Sequence, residues 1–266
     1  MYTPSLFDEP SGPTGPLVRV QLRIAYDGTH FRGLAPNPGV RTVVGELVSV
    51  LTPLLGYPPD IVMSGRTDAG VHAWGQMLSF DAPEGTDLDR VQRSINKRLG
   101  PEIVARSCVV GPADFSARFD ATGRSYRYDV YNSEVPSPFM ASTSWWVPTP
   151  LNLGSMRLAC DPLIGEHDFS SFCRRPKTAP GEPALSLVRR VTSARWDRVG
   201  EDVLRFEIHG NAFCHQMVRS IVGFHVAVGR DKRTAGELRS VLAAQDRNLA
   251  ENPAPPHGLT LFDVSY

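Results

Sequence analysis

The chain has 266 residues, which allows one large domain or two modest ones at the usual size of about 100 to 200 residues per domain. Hydrophobic residues make up 41% and charged residues 21%, and no apolar run reaches the roughly 18 residues that a membrane-spanning helix needs, so the composition is that of a globular protein and excludes an integral membrane protein. The 28 basic residues balance the 28 acidic ones, so the charge neither indicates nor excludes a nucleic-acid partner.

The first half of the chain predicts strands and helices in the order β-α-β-β-α-β. Residues 1–16 are polar and rich in Pro, Gly and Ser, so we expect a disordered tail there and not a secretory signal. Thr42 can cap a helix whose apolar residues recur at helical spacing. The predicted elements are a strand at 18–27, a helix at 42–55, a strand at 61–64, a turn at 65–70, a strand at 76–80, a helix at 88–99 and a strand at 103–110. This order is the split ferredoxin-like pattern.

The second half repeats this order roughly, without an obvious sequence repeat. Its predicted elements are a strand at 125–131, a helix at 153–163, strands at 187–196 and 203–209, helices at 215–228 and 234–244, and a strand at 259–266. We therefore predict an α+β fold of two ferredoxin-like halves with antiparallel sheets. The expected domains are the tail at 1–16, an N-terminal α+β domain at 17–112 and a C-terminal α+β domain at 113–266.

The spacing of the cysteines and the absence of standard motifs argue against several classes of enzyme and metal site. Cys108, Cys160, Cys173 and Cys214 form no C-x-x-C pair and have no zinc-ligand spacing, so we expect no metal and interpret them as small core residues in a reducing compartment, the cytoplasm. The sequence also has no P-loop, no dinucleotide-binding glycine motif, no G-x-S-x-G and no H-E-x-x-H. Nucleotide-driven chemistry, Rossmann cofactors, serine hydrolysis and zinc-protease chemistry are therefore disfavoured.

The run GRTDAGVH at residues 65–72 is the first candidate for a site. Its small residues permit a tight turn and a close ligand, and they surround one carboxylate, Asp68, and one guanidinium, Arg66. Arg66 can keep Asp68 ionised and also hold a phosphate, and an ionised carboxylate can act as nucleophile or base without a metal. The alternative is a plain turn, because Asp-Ala-Gly is good turn chemistry.

Two further segments carry candidate residues. The strand around Tyr126 interleaves aromatic and Arg side chains, as suits RNA, although a half-buried strand with solvated Arg would look the same. Arg219 interrupts the apolar face of a predicted helix and must be paired, for example with a carboxylate, which also fits an ordinary core helix. His72 and His215 have no metal-ligand partners, and we expect His72 to form a local hydrogen bond.

Taken together, these segments resemble the tRNA pseudouridine synthase A family. The resemblance rests on YDG at 26–28, GRTDAGVH at 65–72, DFSARF at 114–119, YRY at 126–128, and NAF at 211–213 followed by MVR at 217–219, and it extends over about residues 18–266. It implies two ferredoxin-like halves whose sheets join around a central cleft, and a homodimer that binds the anticodon arm of tRNA. It also implies isomerisation of a uridine, flipped out of its stack, at about positions 38 to 40 of the tRNA.

The same resemblance assigns residues. It implies that Asp68 is the catalytic residue, that Tyr126 contacts the target base, and that Arg66 and Arg219 belong to the same site, with neither a cofactor nor a membrane involved. The sequence departs from the family where Leu34, Ala35 and Val44 replace an aromatic residue and two amides, which puts RNA contacts there in doubt.

Two rival functions stay open. One is a non-catalytic RNA-binding protein on this scaffold, although a mere binder would not need the carboxylate of Asp68. The other is a hydrolase of nucleosides or sugars that uses a pair of carboxylates, for which Asp27 is the candidate second member.

Overall fold

The computed structural model describes residues 12, 15–175 and 185–266 of the chain. The predicted disordered tail at 1–16 lies outside the described residues, apart from positions 12, 15 and 16. The chain divides into two units, Met1–Ala121 and Thr122–Tyr266, each a mixture of strands and helices. Residues 113–121 belong to the first unit, within which Arg19 donates to the Phe115 carbonyl at 3.2 Å. None of the described helices has the length and apolar character needed to cross a membrane.

The first unit follows the predicted order of elements. Its elements are β1 (Leu17–Tyr26), α1 (Val43–Leu55), β2 (Val62–Met63), β3 (His72–Pro83), α2 (Leu88–Leu99) and β4 (Ile103–Val110). The antiparallel strand β1 lies between β4 and β3, and β2 pairs with β3, so the spatial order is β4-β1-β3-β2. In order of appearance, the strands are therefore arranged fourth, first, third, second.

Capping and burial explain the helices of the first unit. The Thr42 hydroxyl accepts a hydrogen bond from the Gly45 amide at 3.2 Å, which confirms the predicted cap of α1. Asp87 caps α2 in the same way, through the Arg90 amide at 2.9 Å. The core of this unit is formed by the buried faces of β1, α1 and α2. Its apolar side chains include Val20, Leu22, Ile24, Tyr26, Leu47, Leu51, Val91 and Ile95.

The second unit contains β5 (Gly123–Tyr131), β6 (Trp145–Trp146), α3 (Leu153–Leu158), β7 (Gly165–Asp168), β8 (Val188–Arg198), β9 (Val203–Gly210), α4 (Met217–Gly229), α5 (Glu237–Ala244) and β10 (Leu259–Ser265). Its sheet has the order β10-β5-β9-β8-β7, antiparallel throughout, and β6 adds to β5 in parallel. Without the short strands β6 and β7, this is again the arrangement fourth, first, third, second.

The sequence misjudged some boundaries and missed β6 and β7. The helix predicted to reach residue 163 ends at Leu158, because Pro162 lies in a separate 3₁₀ turn, Asp161–Leu163, and cannot continue an α-helix. The helix predicted from residue 215 begins at Met217, because Gln216 has the left-handed φ of 64°. The strand predicted at 76–80 is longer and begins at His72.

Three of the four cysteines, Cys108, Cys160 and Cys173, are buried as expected, whereas Cys214 is only half-buried, and the pairing of Cys173 with Cys214 was not predicted. Cys173 and Cys214 form a disulfide with their Cα atoms 5.8 Å apart, within the range that such bonds allow. Their separation of 41 residues gave no recognisable motif. Cys108 and Cys160 are free and buried, as expected, and burial raises the pKa of each thiol to about 12.

Candidate active site

Asp68 and Arg66 lie on the loop that joins β2 to β3. The loop turns at residues 69 and 70, where the Val71 amide donates to the Asp68 carbonyl at 3.1 Å, so the predicted turn is confirmed. Thr67 is buried, Asp68 is half-buried and Arg66 is exposed. Arg66 is therefore open to solvent and Asp68 partly so, while Thr67 faces the interior of the unit. A turn without any catalytic role would have the same backbone conformation, so the turn by itself does not identify a catalytic site.

A buried amide anchors the start of the loop. Gln76, whose side chain is fully buried on β3, donates from Nε2 to the Gly65 carbonyl at 2.8 Å. Its Oε1 accepts a short hydrogen bond from the Ser64 hydroxyl. A buried amide with both ends satisfied has one favourable orientation, so it fixes the backbone just before Arg66.

The segment after β1 packs directly onto the loop. The Leu34 amide donates to the Thr67 carbonyl at 3.2 Å, and Gly33 lies beside the same carbonyl with a φ of +104°, which favours glycine. Gly28 approaches closer still, because a Cβ on it would lie 2.1 Å from the Val71 carbonyl oxygen. Leu34 and Val44, two of the positions where the sequence departs from the family, are buried, so their side chains pack inside this unit.

His72 forms local hydrogen bonds, as predicted. Its Nδ1 lies 3.0 Å from the Gly28 amide and 3.1 Å from Asp27 Oδ1. Without a hydrogen, Nδ1 accepts from the Gly28 amide, whereas with a hydrogen it donates to Asp27. Burial would raise the pKa of Asp27, but the hydrogen bonds from the Thr29 amide and hydroxyl, together with His72 and His30, outweigh it and leave that pKa below its usual value.

Tyr126 occupies β5 of the second unit and is half-buried. Phe213, from the loop before α4, meets its ring edge to face, with centroids 5.2 Å apart. The arginines on either side are already engaged within the unit: Arg124 donates to the Asn211 carbonyl at 2.8 Å, and Arg127 pairs with Glu207 at 2.6 Å. The strand is therefore half-buried, as one interpretation of its sequence predicted, and Arg124 and Arg127 are bonded inside the unit instead of solvated.

Arg219 lies on α4 and is half-buried. Its Nε donates to the Ala254 carbonyl at 2.7 Å, and the Ala254 amide donates back to the Arg219 carbonyl at 2.9 Å. A paired arginine was expected at this position, and one of its partners is this backbone carbonyl. This double contact ties α4 to the segment that leads into β10.

The four candidate residues thus fall into two pairs. Arg66 and Asp68 share one loop of the first unit, and Tyr126 and Arg219 stand on two elements of the second. Sequence reasoning missed the supports beneath the loop, Tyr26, Gln76 and Leu34, because contacts between distant residues leave no periodic signal. Within the described ranges, no cluster of three or more His, Cys, Asp or Glu side chains is placed to hold a metal ion.

Comparison with known proteins identifies the family. A profile of the tRNA pseudouridine synthase family matches residues 159–266. Over 249 residues the chain is 39% identical to the tRNA pseudouridine synthase A of Geobacillus kaustophilus, which covers 93% of this chain and 94% of that relative. The corresponding protein of Halalkalibacterium halodurans is 40% identical over 91% of this chain and 90% of its own length. The chain therefore belongs to the tRNA pseudouridine synthase A family, which makes it an isomerase.

Similarity to solved structures is weak by comparison. A crystal structure of a Cbf5-Nop10-Gar1 complex covers 78% of this chain and 45% of that chain, with 13% identity and a TM-score of 0.33.

Proposed function

We propose that this protein converts uridine to pseudouridine in the anticodon arm of tRNA, at about positions 38 to 40, and that Asp68 is the catalytic residue after the target base leaves its stack. Family membership supports the reaction and the tRNA substrate. The assignment of Asp68 rests on the way its loop is held. Buried contacts fix the loop on both sides of Asp68, and this residue remains partly accessible. Preorganised groups of this kind are what catalysis requires.

The reaction is an isomerisation, so the product has the same composition as the substrate. The C1′–N1 bond breaks, the detached uracil turns, C5 bonds to C1′, and the proton on C5 is lost while N1 gains one. No electrons are transferred to or from another molecule, so we propose no cofactor. Asp68 either attacks C1′ or removes the 2′ proton, and both routes stay open.

The other three residues have supporting roles in this proposal. Arg66, exposed beside Asp68, holds a phosphate of the flipped nucleotide or fills the space that it vacates. Tyr126 stacks on the detached uracil and assists loss of the C5 proton, and Phe213 holds its ring. Arg219 contributes a positive charge to the same chemistry.

We also propose the domain architecture, the cellular location and the oligomeric state of the protein. The shared strand arrangement of the two units supports two ferredoxin-like halves, with the boundary expected at 112/113, joined around a catalytic cleft. We also propose that the protein acts as a cytoplasmic homodimer, as the family resemblance implies.

The rival functions have less support. A two-carboxylate hydrolase would need one carboxyl whose pKa is raised so that it can donate a proton. The pKa of Asp27 is instead lowered, and its Oδ1 already accepts from the amide and hydroxyl of Thr29. A non-catalytic RNA binder would not need a braced carboxylate at residue 68.

The test is release of tritium from an anticodon-arm transcript labelled at uridine C5, because forming the C5–C1′ bond expels that hydrogen. We expect release from tRNA and none from labelled free uridine, with the signal lost when the uridines at about positions 38 to 40 are replaced by cytidine. Release of free uracil from labelled uridine, with no tritium in the water, would support the hydrolase instead. Binding of tRNA without release would support the RNA binder.

A further inference from the structure

Two buried hydroxyls meet beneath the Asp68 loop. The Tyr26 hydroxyl lies 2.6 Å from Thr67 Oγ1, across 41 residues of sequence, and either oxygen can be the donor. Tyr26 is 4% exposed and Thr67 is 8% exposed. A hydrogen bond this short between two side chains shielded from water constrains both of them, since neither can exchange its partner for solvent.

Tyr26 is the more rigid of the two residues. It is the last residue of β1, and its backbone pairs with Ala73 of β3 on one side and Ile103 of β4 on the other. A side chain that leaves a strand with neighbours on both sides has little freedom to move. The hydroxyl therefore stands at a point that the sheet fixes.

Thr67 transmits this fixed point to the loop. Its carbonyl accepts the Leu34 amide at 3.2 Å, so the residue is held through its backbone as well as through its side chain. It directly precedes Asp68, whose own carbonyl is held by the Val71 amide. Any rotation of Thr67 would therefore turn the Cα–Cβ bond of Asp68.

We propose that Tyr26 is a positioning residue for the isomerisation, acting through Thr67 on the carboxylate of Asp68. The inference rests on the catalytic role proposed for Asp68. It predicts that the hydroxyl of Tyr26 matters for turnover and not for tRNA binding, because the pair is buried and does not face a ligand at the surface. Small errors in the placement of reacting groups have large effects on rate.

The experiment compares two tyrosines that each lose only a hydroxyl. Tyr57 is also buried in the first unit, and its hydroxyl donates to the Asp81 carbonyl at 3.0 Å. We expect Tyr26→Phe to lower kcat for tritium release by about tenfold or more, with KM for tRNA within about twofold of the parent. Tyr57→Phe should lower the melting temperature to a similar degree and leave kcat near the parent value.

A second pair of variants covers the case in which Tyr26→Phe does not fold. Thr67→Val removes Oγ1 and should lower kcat like Tyr26→Phe, whereas Thr67→Ser keeps that oxygen and should recover most of the loss. Combining Tyr26→Phe with Thr67→Val should cost little more than either change alone, since both remove the same contact.

The inference is overturned by parent-like kcat in Tyr26→Phe or Thr67→Val, or by an equal loss of kcat in Tyr57→Phe. Asp68→Asn is measured in the same assay. If Asp68→Asn turns over like the parent, the proposed function of Asp68 is at fault. If Asp68→Asn is inactive while Tyr26→Phe is fully active, only the role of Tyr26 is rejected.

Discussion

Gly28 offers a test of how tightly the loop must be held. A methyl group on Gly28 would lie 2.1 Å from the Val71 carbonyl oxygen and 2.5 Å from its carbon, and both atoms belong to backbone. Backbone cannot swing aside as a side chain would. The oxygen must therefore retreat by about 1 Å before the contact becomes tolerable, in an interior that is packed without spare space. The displaced residue lies three positions after Asp68.

We expect Gly28→Ala to lower kcat about 100-fold, because a 1 Å error in the position of a reacting group has that order of effect. Overpacking should also lower the free energy of unfolding by about 1 to 3 kcal/mol, which leaves a protein that can be purified and assayed. Turnover is measured by tritium release, and stability by urea unfolding.

Gly236→Ala is the matched control. A Cβ on Gly236 meets nothing within 4 Å, and the residue has helical φ and ψ of −66° and −27°. The control should keep the parent kcat and unfold at the same or a slightly higher urea concentration. Parent-like turnover in a folded Gly28→Ala protein would refute the claim that the packing of this segment sets the position of Asp68.

Three further predictions concern stability. Burial lowers the pKa of His225 to about 3, so between that pH and about 6.5 the unfolded chain binds a proton at this residue and the folded chain does not. The free energy of unfolding should therefore fall by up to about 1.4 kcal/mol per pH unit as the pH drops below about 6.5. The pH dependence of unfolding of His225→Asn should lack this component. Reducing the disulfide between Cys173 and Cys214 opens a loop of 41 residues and should cost about 4 kcal/mol by chain entropy, whereas urea unfolding of the double Ser variant should not respond to reductant. Thr42→Ala removes the cap of α1 and should cost about 1 kcal/mol in the same unfolding assay, and no change in its midpoint would contradict the role of that cap.

Much of the fold could be predicted, because its signals are local. Helix α2 spans Leu88–Leu99 as expected, since Asp87 caps it and its apolar residues recur at one spacing. Strand β4 likewise spans Ile103–Val110, as predicted. The errors occur where local signals fail: the two-residue strand Trp145–Trp146 is too short to show alternation, and the left-handed conformation of Gln216 cannot be read from its side chain.

The candidate site divides in the same way. The turn around Asp68 follows from its small residues, and the loop lies where the sequence placed it. The contact between Tyr26 and Thr67 spans 41 residues and could not be predicted, because no spacing rule joins a strand end to a distant loop. The disulfide between Cys173 and Cys214 escaped prediction for the same reason.

The most direct test of the catalytic role of Asp68 compares Asp68→Asn with the parent on one C5-tritiated anticodon-arm transcript. The substitution keeps the size of the side chain and removes its negative charge. We predict that tritium release falls to the level of a blank without protein, while the Kd for tRNA, measured by filter binding, stays within a few-fold of the parent. Turnover near the parent rate by Asp68→Asn would contradict a catalytic role for Asp68.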